Sequence, residues 1–68
     1  MNIHEAVKKA LKENRCITLP EFKGISKIKP TNGEGNCIVM DEDGGQPSKY
    51  GWQPTVDNLV RDDWENVD

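Results

Sequence analysis

Histidine is almost missing from this 68-residue chain: His4 is the only one, and cysteine occurs twice, as Cys16 and Cys37. There is no CxxC pair, so a four-ligand zinc site within one chain is not expected. Two cysteines permit at most one internal disulfide, and the reading adopted is two buried, reduced thiols on neighbouring strands. No apolar run approaches the ~18 residues of a membrane span. The opening MNIHEAVKKALKEN lacks the continuous apolar centre and small-residue cleavage site of a signal peptide, so a cytoplasmic location is expected. Large rings are scarce too: one Phe, one Tyr and two Trp, in a chain that is 34% hydrophobic, make a thin core. So short a chain buries a modest share of its surface, and the usual remedies are disulfides, a metal or a partner subunit. With the first two set aside, self-association is the expected one. Surplus positive charge is also lacking. At a net charge of −3 the whole surface does not attract long nucleic acid, although a local basic or amide-lined pocket for a small anion remains open.

What is there is patterned. Ile3, Ala6, Val7, Ala10 and Leu11 follow helical spacing, which predicts a helix over Asn2–Glu13 with Glu5, Lys8, Lys9, Lys12 and Glu13 opposite. Glu5 four residues before Lys9 is the supportive orientation. Asn2 and Glu5 form a capping arrangement, and Asn14 suits a left-handed stop. Arg15–Leu19 reads as a strand that Pro20 ends or forces to an edge. Glu21–Gly24 is a turn carrying Phe22, and Ile25–Lys29 a further strand. Asn32-Gly33 signals a hairpin leading to Cys37–Met40, an all-apolar strand expected at the sheet centre. Asp41–Ser48 is a loop, and Lys49–Trp52 a short strand or ordered loop. Val56, Leu59 and Val60 then give a helix of about two turns, with Pro54 in its first turn and Asp57 near its start. Trp64–Val67 alternates as a last strand. The fold class is therefore α+β in a single domain, 1–68: a small antiparallel sheet, the N-terminal helix packed on one face and a short helix before the last strand. The remaining apolar surface is expected on the other sheet face, against a second chain.

An enzyme is hard to build from these residues. Nucleophilic catalysis needs an oriented base, and His4 with Cys16 or Cys37 has no evident third member. Asp41-Glu42-Asp43-Gly44 fails as a calcium loop, with Gly at the fifth position and Trp52 where a bidentate Glu belongs. Gly33–Gly35 and Gly44-Gly45 lack the following helix of a phosphate loop and read as turns. No catalytic residue, metal or cofactor is expected. The informative cluster is Tyr50-Gly51-Trp52-Gln53-Pro54-Thr55, with Phe22 upstream and Trp64 downstream. These rings either make up the core or wall a pocket for a flat ring, with Gln53, Thr55, Asp57 and Asn58 as adjacent polar groups.

The segment Gly51-Trp52-Gln53-Pro54-Thr55 through Leu59 to Asp63-Trp64-Glu65 resembles the closing part of the Thoeris anti-defence two family: W-x-P-S/T, a Leu-containing helical turn, then D-W and a strand. Glu5-Ala6-Val7 to Leu11, followed by Arg15–Leu19, resembles that family's opening helix and strand. Pro20-Glu21-Phe22-Lys23-Gly24 stands where members carry a G-W-N-G-K turn, with Phe22 replacing Trp, and the middle is shorter. The resemblance covers the two ends, about half the chain, and its tail is the specific part. It implies a phage-type homo-oligomer that binds a small signalling nucleotide, a cyclic ADP-ribose isomer or cyclic oligonucleotide, without turnover. On that implication Phe22 and Trp52 stack the base, and Gln53, Thr55 and Asp57 read its polar edge. Lys23 or Arg61 takes phosphate, and Trp64 belongs to the core. Two other classes stand beside it. One is an inhibitor that binds a host defence protein directly through Asp62, Asp63, Glu65 and Asp68. The other is a structural or regulatory protein with no small-molecule site.

Overall fold

The computed structural model describes residues 1–31, 36–41, 45 and 51–68. The Asn32-Gly33 hairpin, most of the 41–48 loop, and Lys49 and Tyr50 lie outside the described residues.

Helix α1, Ile3–Glu13, begins and ends as its sequence dictates. The Asn2 side chain accepts from Glu5 N–H at 2.8 Å, and its amide donates to the Glu5 carboxylate at 3.0 Å. These bonds satisfy one of the amides that a helix start leaves open. Asn14 closes the helix at φ 55°, ψ 50°. Ala6 and Ala10 are fully buried on the inner stripe, Ile3 and Val7 are half-buried, and Leu11 lies at the stripe's exposed margin. Two alanines at the contact let the helix axis approach the sheet closely. Close approach brings the Asn66 side-chain amide within 3.0 Å of the Ala6 carbonyl, to which it donates.

Four strands follow in the chain: β1 Cys16–Thr18, β2 Ser26–Lys29, β3 Ile38–Asp41 and β4 Glu65–Val67. Their order is β3-β2-β1-β4 and every pairing is antiparallel. Pro20 ends β1 rather than forcing it to an edge, and β1 sits between β2 and β4. The expected central place of the Cys37–Met40 segment is corrected. As β3 it forms the edge, pairs only with β2, and is half-buried throughout. The cause is long-range. Trp64 is 1% exposed beneath α1, and its N–H donates to the Met1 carbonyl at 3.0 Å, which brings β4 back beside β1 and leaves β3 outermost. Cys16 and Cys37 are therefore not on neighbouring strands: Cys16 is buried on β1, Cys37 half-buried just before β3, and β2 lies between them. Both thiols are free.

Register sorts the side chains. Ile17 faces Ile28 and Asn66, and Ile28 faces Val39, a row that lies under α1. The core is Ala6, Ala10, Ile17, Leu19, Ile28 and Trp64, with Phe22, Trp52 and Val39 packed against it. Continuing the antiparallel register, the opposite face carries Met40, Lys27, Thr18 and Glu65 in one row and Ile38, Lys29, Cys16 and Val67 in the next. Ile25 and Ile28 do not compete for a face, because β2 starts at Ser26 and leaves Ile25 exposed before it.

Helix α2, Val56–Val60, is shorter than expected. Pro54 precedes its cap instead of sitting in its first turn, and Thr55 is the cap. Among the described residues, the other large exposed apolar side chains are Val56, Leu59 and Val60 on this helix, together with Ile25 and Met1, rather than a continuous apolar surface on the second sheet face.

Candidate functional site

Three separate groups of side chains emerge where the sequence suggested one. The first is aromatic. Phe22 ends the 3-10 turn Pro20–Phe22, held by Phe22 N–H to Leu19 carbonyl and Ile25 N–H to Phe22 carbonyl, both 2.9 Å. Trp52 lies half-buried with its ring edge-on to Trp64, centroids 5.7 Å apart at 80°. Its backbone N–H donates to the Cys37 carbonyl at 2.7 Å. That close approach explains the residue before it. Gly51 has φ +83°, and a Cβ there would stand 2.7 Å from Asn36 Cβ. Trp64 is core, as expected, and its ring N–H donates to the Asn58 carbonyl at 3.0 Å, so α2 caps the buried indole.

The second group is polar. Gln53, Thr55 and Asp57 form an exposed run entering α2. Thr55 Oγ1 accepts from Asn58 N–H at 3.3 Å and the Asn58 side chain returns to Thr55 N–H at 3.0 Å, a reciprocal cap. Arg61, just past the helix, is clamped. Its Nη1 and Nη2 reach both Glu21 carboxylate oxygens, while Nε and Nη2 reach both Asp63 oxygens. Hydrogen bonds from Arg61 hold both carboxyls below their ordinary range, and Asp63 first, then Glu21, raise the guanidinium further above its own. The clamp ties the Phe22 turn to the approach to β4.

The third group lies on the other side of the sheet. A cleft of about 300 Å³ is lined by Thr18, Lys23, Gly24, Ser26, Lys27, Val67 and Asp68. Lys23 Nζ lies 3.1 Å from a Glu65 oxygen, and Lys27 Nζ donates to the Asp68 main-chain oxygen at 2.6 Å. The fold thus packs Phe22 and Trp52 against the core, while Lys23 lines the cleft on the opposite face. Lys27 escaped the sequence reading. Its signal was present in Ser26-Lys27-Ile28-Lys29, where strand alternation puts two lysines on the face away from Ile28.

Among the described residues no cluster of three or more His, Cys, Asp or Glu side chains is placed to hold a metal ion. Nor is any described helix long and apolar enough to cross a membrane. No curated protein and no solved structure matched the chain. The family model described as Thoeris anti-defense 2-like domain matches residues 1–67, which takes in the capped opening helix, the Phe22 turn and the Gly51-Trp52 to Trp64 tail. With nearly its whole length matched, the chain belongs to the Thoeris anti-defense 2-like family, and its general role is anti-defence.

Proposed function

We propose that this protein sequesters a cyclic nucleotide immune signal, a cyclic ADP-ribose isomer or a cyclic oligonucleotide, by binding it without turnover in a homo-oligomer. Family membership over residues 1–67 is the observation that carries this reading. The local chemistry supports it. Trp52 and Phe22 are half-buried rings held by their neighbours, as a stacking wall requires. Gln53, Thr55 and Asp57 present polar groups directly after Trp52. Lys23 lies on the other sheet face from these rings, so it takes phosphate only in a pocket shared between copies, and Arg61 reaches a ligand only by releasing Glu21 or Asp63. The exposed Val56, Leu59 and Val60 supply apolar surface for a second copy. A sponge needs only enough sites and a Kd below the effector's threshold.

The test is a thermal-shift screen of the protein against cyclic ADP-ribose isomers and cyclic di- and trinucleotides, with mass measured in solution alongside. A ligand at a hundredfold excess over its Kd stabilises by about 2.7 kcal/mol, an upward shift of about 10 °C or more in so small a domain. A shift for one class on an oligomer supports the reading. No shift for any class sinks it. With a monomeric mass, that result favours direct inhibition of a host protein, which the 73% and 71% exposures of Val56 and Val60 also fit. Acidic mimicry is the weaker form of that alternative, since Asp63, Glu65 and Asp68 are each engaged by a cation.

A further inference from the structure

We infer that the cleft on the sheet face opposite α1 is a phosphoryl-anion site, with Lys27 and Lys23 as its two cationic arms and the Gly24 backbone as its open wall. Charge is the first argument. The chain carries −3 overall, yet this cleft brings Lys23 and Lys27 together beside Glu65. The Asp68 carboxylate is turned to Arg15, 3.1 Å from its Nε. Strand alternation produced the concentration: Ile28 goes to the core, so Lys27 and Lys29 must both go outward.

The second argument is the way the cleft is closed. Lys23 and Lys27 start on the β2 side of β1 and reach over it to the β4 side, to Glu65 and to the Asp68 main-chain oxygen. They pass above Thr18, which is only 1% exposed at the cleft floor. An ammonium has three donors, more than a single acceptor oxygen takes up. The Lys23–Glu65 pair is surface-exposed, with side chains 55% and 45% accessible, and exposed pairs of this kind are weak. An incoming dianion therefore exchanges with Glu65 at little loss. Gly24 adds access. At φ +81° it has nothing within 4 Å of where a Cβ would be, so a ligand can approach its backbone. Size completes the case. About 300 Å³ is the bottom of the range for small-molecule sites, which suits a phosphate or diphosphate group and not a whole nucleotide.

This inference deepens the sequestration reading and rests on it only for the biological source of the phosphate. The direct probe is inorganic pyrophosphate titrated into the isotope-labelled protein, followed by amide chemical shifts. Shifts are expected to concentrate at Gly24, Ser26, Lys27 and Val67 and to weaken as salt is added. Lys27→Gln is expected to weaken pyrophosphate binding by about tenfold or more, the scale of a charge-assisted hydrogen bond. Glu65→Gln, which frees Lys23, is expected to tighten it, and this opposite sign separates a binding role from damage to the fold. Pyrophosphate that moves none of these amides at millimolar concentration, or binds Lys27→Gln as well as the parent, overturns the inference. The same titration with the cyclic nucleotides keeps the two ideas apart. Pyrophosphate binding with no cyclic nucleotide bound removes the sequestration reading and leaves the cleft. A cyclic nucleotide held equally by parent and Lys27→Gln removes the cleft as its phosphate site and leaves sequestration.

Discussion

Gly51 and Trp52 act as a unit, and the first cannot be exchanged without moving the second. An alanine at position 51 adopts φ +83° only with strain, and its methyl meets Asn36 Cβ at 2.7 Å. Backbone strain of this type costs about 1–3 kcal/mol before the clash is counted. Gly51→Ala is expected to lower the urea midpoint and to loosen the Trp52 N–H to Cys37 carbonyl bond, visible as faster exchange of that amide. The two tryptophans separate in the same terms. Trp64 is 1% exposed and hydrogen-bonded through its indole, so Trp64→Ala removes core volume and is expected to cost about 3–5 kcal/mol, enough to unfold so small a domain. Trp52 is half-buried and contributes an edge-to-face contact worth about 0.5–1.5 kcal/mol beyond its area. Trp52→Ala is therefore expected to keep a cooperative melt and lose the ligand-induced shift. A variant that unfolds instead identifies Trp52 as core.

Elements here are short enough that their ends decide them. Five residues of helix do not persist alone, since nucleation needs more turns than α2 has. The Thr55–Asn58 cap and the Asn58 carbonyl's bond to the Trp64 indole hold it in place. Thr55→Ala is expected to cost about 0.5–2 kcal/mol, read as a lower urea midpoint with a matching loss of amide protection over Val56–Val60. The Arg61 clamp joins two such ends, the Phe22 turn and the approach to β4. Glu21 and Asp63 have folded pKa values below their ordinary 4.5 and 3.8, so the folded state binds fewer protons than the unfolded chain. The clamp's contribution is thus complete above about pH 5 and lost as pH falls through the depressed values. Glu21 is exposed and Arg61 and Asp63 are only half-buried, so the effect is small, and Arg61→Gln should flatten the acid limb of a melting-temperature profile between pH 6 and 3. An unchanged acid limb removes the clamp as its cause. At this scale the sequence was largely legible. Asn2, Asn14 and the Ile3–Ala10 stripe are local signals, and α1 obeys them. Pro20 stops β1 for an equally local reason. Sheet order was not legible, because it follows from Trp64 returning under α1 across more than sixty residues. An all-apolar Cys37–Met40 therefore read as central and became an edge. The site was partly legible for the same reason. Residue types in the Trp52–Asp57 run were readable, but the cleft joins Thr18, Lys23, Lys27 and Val67 from three strands and a turn, and no local window contains that set.

For the whole molecule the question is how so few buried side chains suffice. Among the described residues the core cluster is Ala6, Ala10, Ile17, Leu19, Ile28 and Trp64, and two of those six are alanines. Area-based stabilisation from such a set leaves little margin over chain entropy, the general difficulty of domains this short. Meanwhile Val56, Leu59 and Val60 stand 73%, 46% and 71% exposed at positions i, i+3 and i+4, one stripe on α2. A second copy covering that stripe would remove apolar surface from water and at the same time prop the helix that caps Trp64, so that assembly and folding would reinforce each other. Val60→Asp is the sharpest test, because Val60 has no core role to lose. It is expected to convert an oligomer to a monomer in a solution mass measurement and to make the melting temperature independent of protein concentration. If Val60→Asp retains the parent's oligomeric mass, the α2 stripe is not the self-association surface. If the parent is itself a monomer whose melting temperature does not rise with concentration, self-association is excluded and the stripe is left to a different protein.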